Sequence, residues 1–411
     1  MHFLLMPQGS SGDVNPLLGI GRELARRGHE VTVATCGYFA ETVQRAGLRF
    51  VEQGTKEQYL TMVHHPDLWH PTRGPQTVFG NPDLAQGLRD GYRLVTDFHA
   101  AHPEGVVVGA TLAVSGRVAL ETHPKLKFVT AHLQPSVFRS MIDPPVLGNL
   151  RIPDFFPRWT VRAFFWWADR IIDRVLQPSL TTFRHELGLP PQQRYLKDWL
   201  HSPVLTLGLF PDWYASAPDW PASLKLTGFV VEDAAQGLSA ELSEWLQQGQ
   251  RPIVFSFGSA MAQGRELFAN AIAVCQKLNR RGLLLSQFPE QLPTNLPPNV
   301  RWERYVSFTD LLPHAAVFVH HGGVGSTARG LLAGVPQVIT PLSHDQFDNA
   351  LRVQRLNAGT SVRPRFRWLS RFAAAISANL NDAARKQRCR EIARQNSLSG
   401  AMQAADLLTT M

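Results

Sequence analysis

The 411-residue sequence has no long apolar run, few cysteines and no block of basic residues, and each absence narrows the function. No run approaches the roughly 20 apolar residues that a membrane-spanning helix needs. The first residues show no basic segment ahead of an apolar one, so we expect no signal peptide. These absences predict a cytoplasmic protein, or one held peripherally on the inner face of the membrane.

Signals for metal, disulfides and nucleic acid are also weak. The three cysteines, Cys36, Cys275 and Cys389, match neither a disulfide framework nor a zinc spacing. The histidines of HHPDLWHP (residues 64–71) do not have a zinc spacing either. The net charge of +8 comes mostly from dispersed arginines and not from a basic tail. We therefore expect no bound metal, no cofactor and no nucleic-acid partner.

Short apolar runs alternate with helical patterns in both halves of the chain, which predicts an α/β fold with parallel sheets. The predicted strands are His2–Met6, Val31–Thr35, Val106–Gly109, Lys127–His132, Val204–Gly208, Ile253–Phe257, Gly282–Ser286, Val317–His320 and Gln337–Thr340. The pattern restarts after a linker near residues 228–238. We predict two facing Rossmann-like, doubly wound domains with a ligand in the cleft between them. The expected domains are residues 1–230 and 231–390, with a C-terminal helix in 391–411.

The loop PQGSSGDVNP (residues 7–16) follows the first predicted strand, where sheets of this type bind ligands. Asn15 is a suitable N-cap and Pro16 a suitable first helical residue, which leaves Asp13 outside the cap. A desolvated carboxylate there could remove a proton from a substrate hydroxyl. The alternative is that Asp13 only hydrogen-bonds loop amides or assists the cap. Gly12 lets the backbone come close to a ligand.

Three glycines occupy the loop HHGGVGST (residues 320–327), between a predicted strand and a predicted helix. Exposed amides and the helix dipole favour an anion there, and His321, Ser326 and Thr327 could add donors. The loop has no Lys and no evident magnesium ligands, and the first loop lacks both a dinucleotide fingerprint and a P-loop. The pattern predicts a diphosphate site; the alternative is a glycine turn with a serine cap.

Two more loops follow predicted strands of the second half. In SFGSA (residues 256–260), Gly258 and Ser259 could donate hydrogen bonds to a phosphate, although such turns are common. In PLSHDQFDNA (residues 341–350), Asp345 and Gln346 suit the vicinal hydroxyls of a hexose. Asp345 could instead be a plain N-cap.

The segment from His320 to Ala350, with GSSGDVNP near the start, resembles the signature of inverting family 1 glycosyltransferases of the GT-B fold. The bacterial branch is the more similar one, with antibiotic-pathway glycosyltransferases, sterol glucosyltransferases and the rhamnolipid rhamnosyltransferase. The resemblance implies that Asp13 is the base and that no metal is needed. The residues expected at the nucleotide sugar, from these loops and from the resemblance, are Gly12, Gly258, Ser259, Tyr305, Val306, His321, Gly323, Ser326, Thr327, Asp345 and Gln346.

The chain departs from the family pattern at the nucleotide. Plant members carry a Glu that binds the ribose hydroxyls where this chain has Arg329, and a stacking Trp where it has Tyr305. Both a UDP sugar and a dTDP sugar therefore remain open as donor, and the sequence leaves the sugar, the acceptor and the oligomeric state undetermined.

The segment FFPRWTVRAFFWWADRIIDRVL (residues 155–176) has the pattern of a basic amphipathic helix. Four arginines, Arg158, Arg162, Arg170 and Arg174, are expected on one face by their spacing. Around them lie the aromatic candidates for an acceptor or membrane contact, Phe164, Phe165, Trp166 and Trp167. The alternative is a helix packed on its own domain with solvated arginines.

The function expected from these features is transfer of a hexosyl or deoxyhexosyl group from a nucleoside-diphosphate sugar to a hydroxyl of a hydrophobic, lipid-like acceptor. A sugar-nucleotide epimerase on a similar fold is one alternative. A non-catalytic protein that binds a nucleotide or lipid is another.

Overall fold

The computed structural model describes residues 1–411 except 71–72, 81–82, 148–149, 154, 233–236, 365–367 and 396–398. The chain forms two compact units, Met1–Val230 with Leu398–Met411, and Val231–Ser397. Part of the expected linker, residues 233–236, lies outside the described residues. The C-terminal segment expected from residue 391 would start inside the helix Ala383–Gln395, and the portion that joins the first unit begins at Leu398.

The first unit contains a seven-stranded sheet in which all strand pairs are parallel. Its strands are β1 (His2–Met6), β2 (Glu30–Thr35), β3 (Arg49–Glu52), β4 (Val106–Ala110), β5 (Lys127–His132), β6 (Leu205–Gly208) and β7 (Leu224–Leu226). They lie in the order β3-β2-β1-β4-β5-β6-β7. The strand order therefore reverses between β1 and β4, and the loops that follow these two strands diverge there.

The second unit repeats this topology with six parallel strands. They are β8 (Ile253–Ser256), β9 (Gly282–Leu285), β10 (Val300–Glu303), β11 (Val317–His320), β12 (Gln337–Ile339) and β13 (Gly359–Ser361). Their order is β10-β9-β8-β11-β12-β13, so the reversal falls between β8 and β11. Both units are thus doubly wound α/β sheets, as the sequence predicted.

Helices alternate with these strands. They are α1 (Ser11–Arg26), α2 (Ala40–Arg45), α3 (Lys56–His64), α4 (Gly74–Phe79), α5 (Asp83–Ala101), α6 (Val114–Thr122), α7 (Arg158–Glu186), α8 (Ala240–Gln247), α9 (Arg265–Lys277), α10 (Phe308–Leu311), α11 (Val324–Leu332), α12 (Gln346–Arg355), α13 (Trp368–Asn381), α14 (Ala383–Gln395) and α15 (Gly400–Thr409). Single-turn helices cover Gly37–Phe39, Pro135–Val137, Tyr195–Trp199, Pro289–Gln291 and Leu312–His314. Helix α15 packs on α1, where Arg27 pairs with Asp406 at 2.6 Å. No helix in the described part of the chain is long and apolar enough to span a bilayer.

Every predicted strand is present, and each is an interior strand of its sheet. The four strands that the sequence did not reveal, β3, β7, β10 and β13, are the four sheet edges. Interior strands such as Val106–Ala110 are buried on both faces and read as continuous apolar runs. Edge strands such as Arg49–Glu52 are short and charged at their ends, so they lack that signal.

The start of α1 differs from the prediction. The helix begins at Ser11, with Ser10 as N-cap, and Pro16 lies inside it instead of opening it. Asn15 is therefore not the cap. The sequence SSGD supports an earlier start, because the Ser10 side chain accepts the Gly12 amide and Asp13 accepts the Ser10 amide, which forms a capping box.

Candidate functional site

In the second unit, three loops meet at the carboxyl edge of the sheet. Strands β8, β11 and β12 are direct neighbours, with His320 paired to both Ser256 and Ile339. The loops after these strands contain the predicted residues Gly258, His321 and Asp345. Sheet topology alone thus brings together three segments that are far apart in sequence, at the position where open α/β sheets bind ligands.

The imidazole of His321 lies between two of these loops. A Cβ at Gly323 would fall 2.5 Å from its Nε2, and a Cβ at Gly258 would fall 3.1 Å from its Cε1. Gly258 also has a φ of +110°, and Gly322, between His321 and Gly323, has +97°. Glycine is therefore required on both sides of the ring, since a side chain would clash or strain the backbone.

His321 is a neutral group at physiological pH. Burial lowers the pKa of its imidazole to about 4, and the charge of His344 contributes to the same direction, whereas a hydrogen bond with the Ser256 backbone opposes it. The ring can therefore accept or donate a hydrogen bond without being charged, and a nearby anion would favour its protonated form.

The first turn of α11 supplies backbone donors beside His321. Gly323 is the N-cap, and no side chain caps it. The amides of Val324, Gly325 and Ser326 precede the first intrahelical bond, which runs from Thr327 N to Gly323 O at 3.0 Å. These residues are only partly buried. The helix dipole and the amides of Gly325 and Ser326 suit an anion, and the binding of a diphosphate there stays a prediction.

Thr327 lies behind this turn. Its side chain is fully buried, and its hydroxyl donates to the Gly322 carbonyl at 3.4 Å. The same carbonyl accepts a hydrogen bond from Asn349 Nδ2 at 2.9 Å. Thr327 therefore shapes the loop instead of facing a phosphate, and Ser326 carries the hydroxyl on the more open side.

Two residues that hold the loop, His320 and Asn349, were not identified from the sequence as site residues. His320 Nδ1 accepts the Gly322 amide at 3.1 Å, and its Nε2 bonds Gln337 Oε1 at 2.7 Å. The amide fixes Nδ1 as the acceptor, so Nε2 carries the proton. Burial lowers the pKa of His320 to about 3, which matches this neutral tautomer. Because Asn349 donates to the Gly322 carbonyl, both backbone polar atoms of Gly322 are hydrogen-bonded to side chains.

Asp345 and Gln346 lie at the start of α12, beside the same turn. The Asp345 Oδ2 accepts hydrogen bonds from Val324 N at 3.3 Å and Asn349 Nδ2 at 2.7 Å, so it contacts the start of α11 and does not cap its own helix. Gln346 is buried, and its Oε1 accepts the amides of Leu342 and Ser343. Gln346 orders the loop through its oxygen, and Asp345 adds a carboxylate next to the open amides.

The residues predicted near the nucleotide base follow β10. Tyr305 is 52% exposed, whereas the Val306 side chain packs in the core of the second unit, so only its backbone could contact a ligand. Arg329 extends from α11 to the Glu232 carbonyl at 3.0 Å and lies 5.8 Å from the Phe308 ring. Its charge is thus fixed close to the segment that follows β10.

In the first unit, Asp13 lies in the first turn of α1, just after the carboxyl end of β1. Its Oδ2 accepts hydrogen bonds from the Ser10 amide at 2.8 Å and the Ser10 hydroxyl at 3.1 Å. Gly9, with a φ of +122°, passes so close that any Cβ there would overlap the Asp13 carboxylate. Both bonds end on Oδ2, so among the described residues no hydrogen bond reaches Oδ1. The cap thus holds one carboxylate oxygen and leaves the other available.

Burial raises the pKa of Asp13 above its usual value, against the lowering effect of the two Ser10 hydrogen bonds. The carboxylate also contributes to a raised pKa of Tyr59, whose main cause is burial. Tyr59 stacks on Tyr38 with ring centroids 4.5 Å apart. Asp13 therefore serves in the cap, as one of the two alternatives expected, and it is also desolvated, as a base would need to be; its role as the base stays a prediction.

A further polar pair at this edge was missed because it lies in an apolar strand pattern. Thr111 follows β4 and His132 ends β5, and their side chains meet with Oγ1 and Nδ1 2.9 Å apart. His132 Nε2 lies 3.0 Å from Nδ1 of the buried His201. Thr111 is only partly buried, so the pair presents a hydroxyl at the same sheet edge as Asp13.

The aromatic candidates of α7 do not share one environment. Phe165 is buried against the Arg139 guanidinium, which lies 5.1 Å from its ring centroid, so its predicted contact with an acceptor or membrane does not fit. Phe164 is partly buried. Trp166 and Trp167 are exposed, at 58% and 47%.

The C-terminal region matches a known protein family. Residues 285–403 match the model of the C-terminal domain of the "Erythromycin biosynthesis protein CIII-like" family. The chain is also 29% identical over 378 residues to O-mycaminosyltylonolide 6-deoxyallosyltransferase from Streptomyces fradiae, covering 89% of this chain and 85% of that protein. It is 26% identical to sterol 3-beta-glucosyltransferase UGT80A2 from Arabidopsis thaliana, over 93% of this chain and 61% of that protein.

Solved glycosyltransferases share the fold over the whole chain. The glycosyltransferase of kitacinnamycin superposes with a TM-score of 0.73 at 22% identity, covering 100% of this chain and 98% of that one. The Streptomyces sp. SF2575 glycosyltransferase SsfS6, complexed with thymidine diphosphate, gives a TM-score of 0.66 at 20% identity, with 100% of both chains covered. These comparisons confirm the GT-B fold that the sequence predicted, and they support the resemblance to family 1 glycosyltransferases.

Proposed function

We propose that this glycosyltransferase moves a hexosyl or deoxyhexosyl group from a nucleoside-diphosphate sugar to a hydroxyl of a hydrophobic acceptor, with inversion and with Asp13 as the base. The observation that carries the proposal is the Asp13 carboxylate, held by the Ser10 cap through Oδ2 with its pKa raised by burial. A raised pKa makes a carboxylate a better proton acceptor near neutral pH.

The reaction is a direct displacement. Asp13 Oδ1 takes the proton of the acceptor hydroxyl, whose oxygen forms a bond to the anomeric carbon. The bond from that carbon to the diphosphate oxygen breaks, and the electron pair leaves with the nucleoside diphosphate. Attack from the side opposite the leaving group inverts the anomeric centre.

The diphosphate would bind at the first turn of α11. The amides of Gly325 and Ser326, the Ser326 hydroxyl and the His321 ring are the donors that the loop offers, and the helix dipole favours the negative charge that develops on leaving. These groups replace the work of a cation, so we propose a reaction that requires no metal and no resident cofactor.

The sugar would lie next to the diphosphate, near Asp345. This carboxylate is held 3.3 Å from Val324 N, one residue before the open amides. A carboxylate so close to the phosphates would repel them. We therefore propose that it is there to accept hydrogen bonds from the hydroxyls of the sugar. Gln346 supports this through the loop that its side chain orders.

For the nucleotide, we favour dTDP over UDP. Arg329 stands where plant relatives use Glu for the ribose hydroxyls, and no other carboxylate is expected in that role. Thymidine diphosphate is the ligand of the solved relative SsfS6. The acceptor is proposed to be hydrophobic because the curated relatives include an enzyme named for a tylonolide substrate and one named for sterols.

The test is incubation of the full chain with dTDP and UDP sugars and a panel of macrolide, sterol and 3-hydroxy-fatty-acid acceptors, with products separated by mass spectrometry. A glycosylated acceptor with inverted anomeric configuration by NMR, formed equally with and without EDTA, is the expected result. An epimerised donor without transfer would instead identify an epimerase. Donor binding without either reaction across the panel would favour a non-catalytic protein.

A further inference from the structure

Large apolar side chains are concentrated on the outside of the first unit. Eight of the twelve exposed large hydrophobic side chains of the described residues lie between residues 142 and 171. The most exposed are Phe155 at 84%, Trp159 at 68% and Trp166 at 58%. Single exposed apolar residues are normal in folded proteins, but a concentration of this kind marks an interaction surface.

Four of these eight side chains belong to α7, whose two sides differ in burial. One side packs on its own unit through Val161, Phe165 and Ala168, which are all buried. The opposite side is exposed and carries both aromatic and basic residues. We call it the Arg–Trp face, and its exposed members are Arg158, Trp159, Arg162, Trp166, Trp167, Arg170, Ile171 and Arg174. The arginines and tryptophans thus share one side, whereas the sequence pattern had suggested arginines on one side and aromatics on the others.

Along the Arg–Trp face, between residues 158 and 174, α7 has no exposed acidic residue. Between residues 155 and 178 the only acidic residues are Asp169 and Asp173. Both are buried, Asp169 in a pair with Arg139, and Asp173 as acceptor of the Arg194 amide at 2.8 Å. Their charges are used inside the unit, so the arginines of the exposed side face solvent as a uniformly positive row.

The two residue types are also interleaved on this side. The Arg170 guanidinium lies 4.0 Å from the ring centroid of Trp166, which is cation–π contact. At 1.5 Å per residue, the row from Arg158 to Arg174 is about 24 Å long. Indole rings favour the headgroup level of a bilayer, and guanidinium groups bind lipid phosphates there, so both types can be satisfied by the same surface.

We propose that the Arg–Trp face is a docking surface for an anionic lipid membrane. The positive charge of the row favours this partner. A purely apolar partner would leave the four exposed arginines without opposite charges, whereas anionic headgroups supply them. Because the other side of α7 is packed in the core, the helix lies along the membrane surface and the unit stays folded above it. The proposal does not depend on glycosyl transfer.

The test is sedimentation of the full chain with vesicles of phosphatidylcholine alone or with one third phosphatidylglycerol, at low and high salt. The chain is expected to bind the anionic vesicles, and binding should weaken as salt rises. The double variant R162Q/R170Q should bind at least ten-fold more weakly, since each arginine contributes about five-fold at an anionic surface. W159A/W166A should show a similar loss. The control R390Q/R394Q removes the same charge from exposed positions of α14 and should bind like the unmodified chain.

Thermal unfolding followed by circular dichroism, measured in parallel, shows whether each variant is folded, and it is independent of vesicle binding. Absence of binding to anionic vesicles overturns the proposal, as does an equal loss in R390Q/R394Q, which would mean general attraction by a basic protein. A face that instead joins two copies would show as self-association lost in W159A/W166A, without vesicle binding, and would overturn it as well.

Discussion

The Cα of Gly323 lies so close to His321 that a Cβ there would fall 2.5 Å from the imidazole Nε2. Gly323, the N-cap of α11, and His321, the candidate phosphate ligand, can therefore lie this close only because residue 323 has no side chain.

This contact predicts a specific effect for Gly323→Ala. The added methyl group would displace the His321 ring, and we expect thymidine diphosphate or UDP to bind about ten-fold more weakly or worse by calorimetry. Gly87→Ala is the matched control, since a Cβ at Gly87 meets nothing within 4 Å. Equal affinity in the two variants would remove His321 from the phosphate site.

Nucleotide binding should depend on pH through His321. The pKa of its imidazole is about 4 in the free protein, so the ring is neutral at pH 7. A bound diphosphate favours the charged form and raises that pKa, so binding takes up protons and tightens as pH falls from 8 to 6. Calorimetry in buffers of different ionisation enthalpy measures the uptake. His321→Gln should lose this uptake while keeping the part that belongs to the nucleotide itself; an identical pH profile in both proteins would contradict the prediction.

Asp13→Asn should separate catalysis from folding. Asn keeps an acceptor for the Ser10 cap but cannot take a proton, so turnover should fall about 10²–10⁴-fold with donor affinity nearly unchanged.

The same variants test the stability of the fold. The raised pKa of Asp13 means that the fold favours its protonated form, so the ionised carboxylate lowers the free energy of unfolding at pH values above the folded pKa. Asp13→Asn should therefore be at least as stable as the parent at pH 7 in urea unfolding. Asp13→Ala, which also loses the cap, should be less stable by about 1 kcal/mol. Undiminished turnover in Asp13→Asn would assign the residue to the cap alone.

Asp345→Asn should change sugar binding and nucleotide binding in opposite directions. Removal of a negative charge beside the α11 amides should leave the affinity for free nucleoside diphosphate unchanged or increase it. Loss of the carboxylate acceptor should weaken the intact nucleotide sugar and lower kcat/KM. Isothermal titration with both ligands tests this, and a parallel loss for both would indicate that Asp345 only supports the loop through Asn349 and Val324.

Buried histidines should make the fold sensitive to mild acid. Burial lowers the pKa of His320 to about 3 and of His201 and His321 to about 4, and lowers that of His132 as well. The unfolded chain binds protons at these groups below about pH 6.5, whereas the folded chain does not until lower pH. Stability is therefore fully present above pH 6.5 and falls as pH decreases, by up to about 1.4 kcal/mol per pH unit for each histidine. Urea unfolding between pH 7.5 and 5 measures this slope, and a flat profile would contradict the pKa directions.

The sequence by itself determined the fold class and the interior of both sheets. Strands such as Lys127–His132 are buried on both faces and need continuous apolar residues, which leave a clear local signal. The glycine loop after Val317–His320 could also be predicted from the sequence, since a strand, a glycine turn and a helix start are all local features. Edge strands such as Gly359–Ser361 carried no such signal because one of their sides has no strand neighbour.

Only the tertiary structure decided what individual side chains do. Thr327 and Ser326 are adjacent in sequence, yet one hydroxyl is buried against Gly322 and the other lies on the open side, because helix rotation and loop packing separate them. Phe165 and Trp166 are likewise neighbours, but one packs in the core and the other is exposed. Asp13 was readable as a carboxylate at a strand end, whereas its raised pKa and its single unengaged oxygen arise from burial and from the Ser10 cap, which depend on the folded environment.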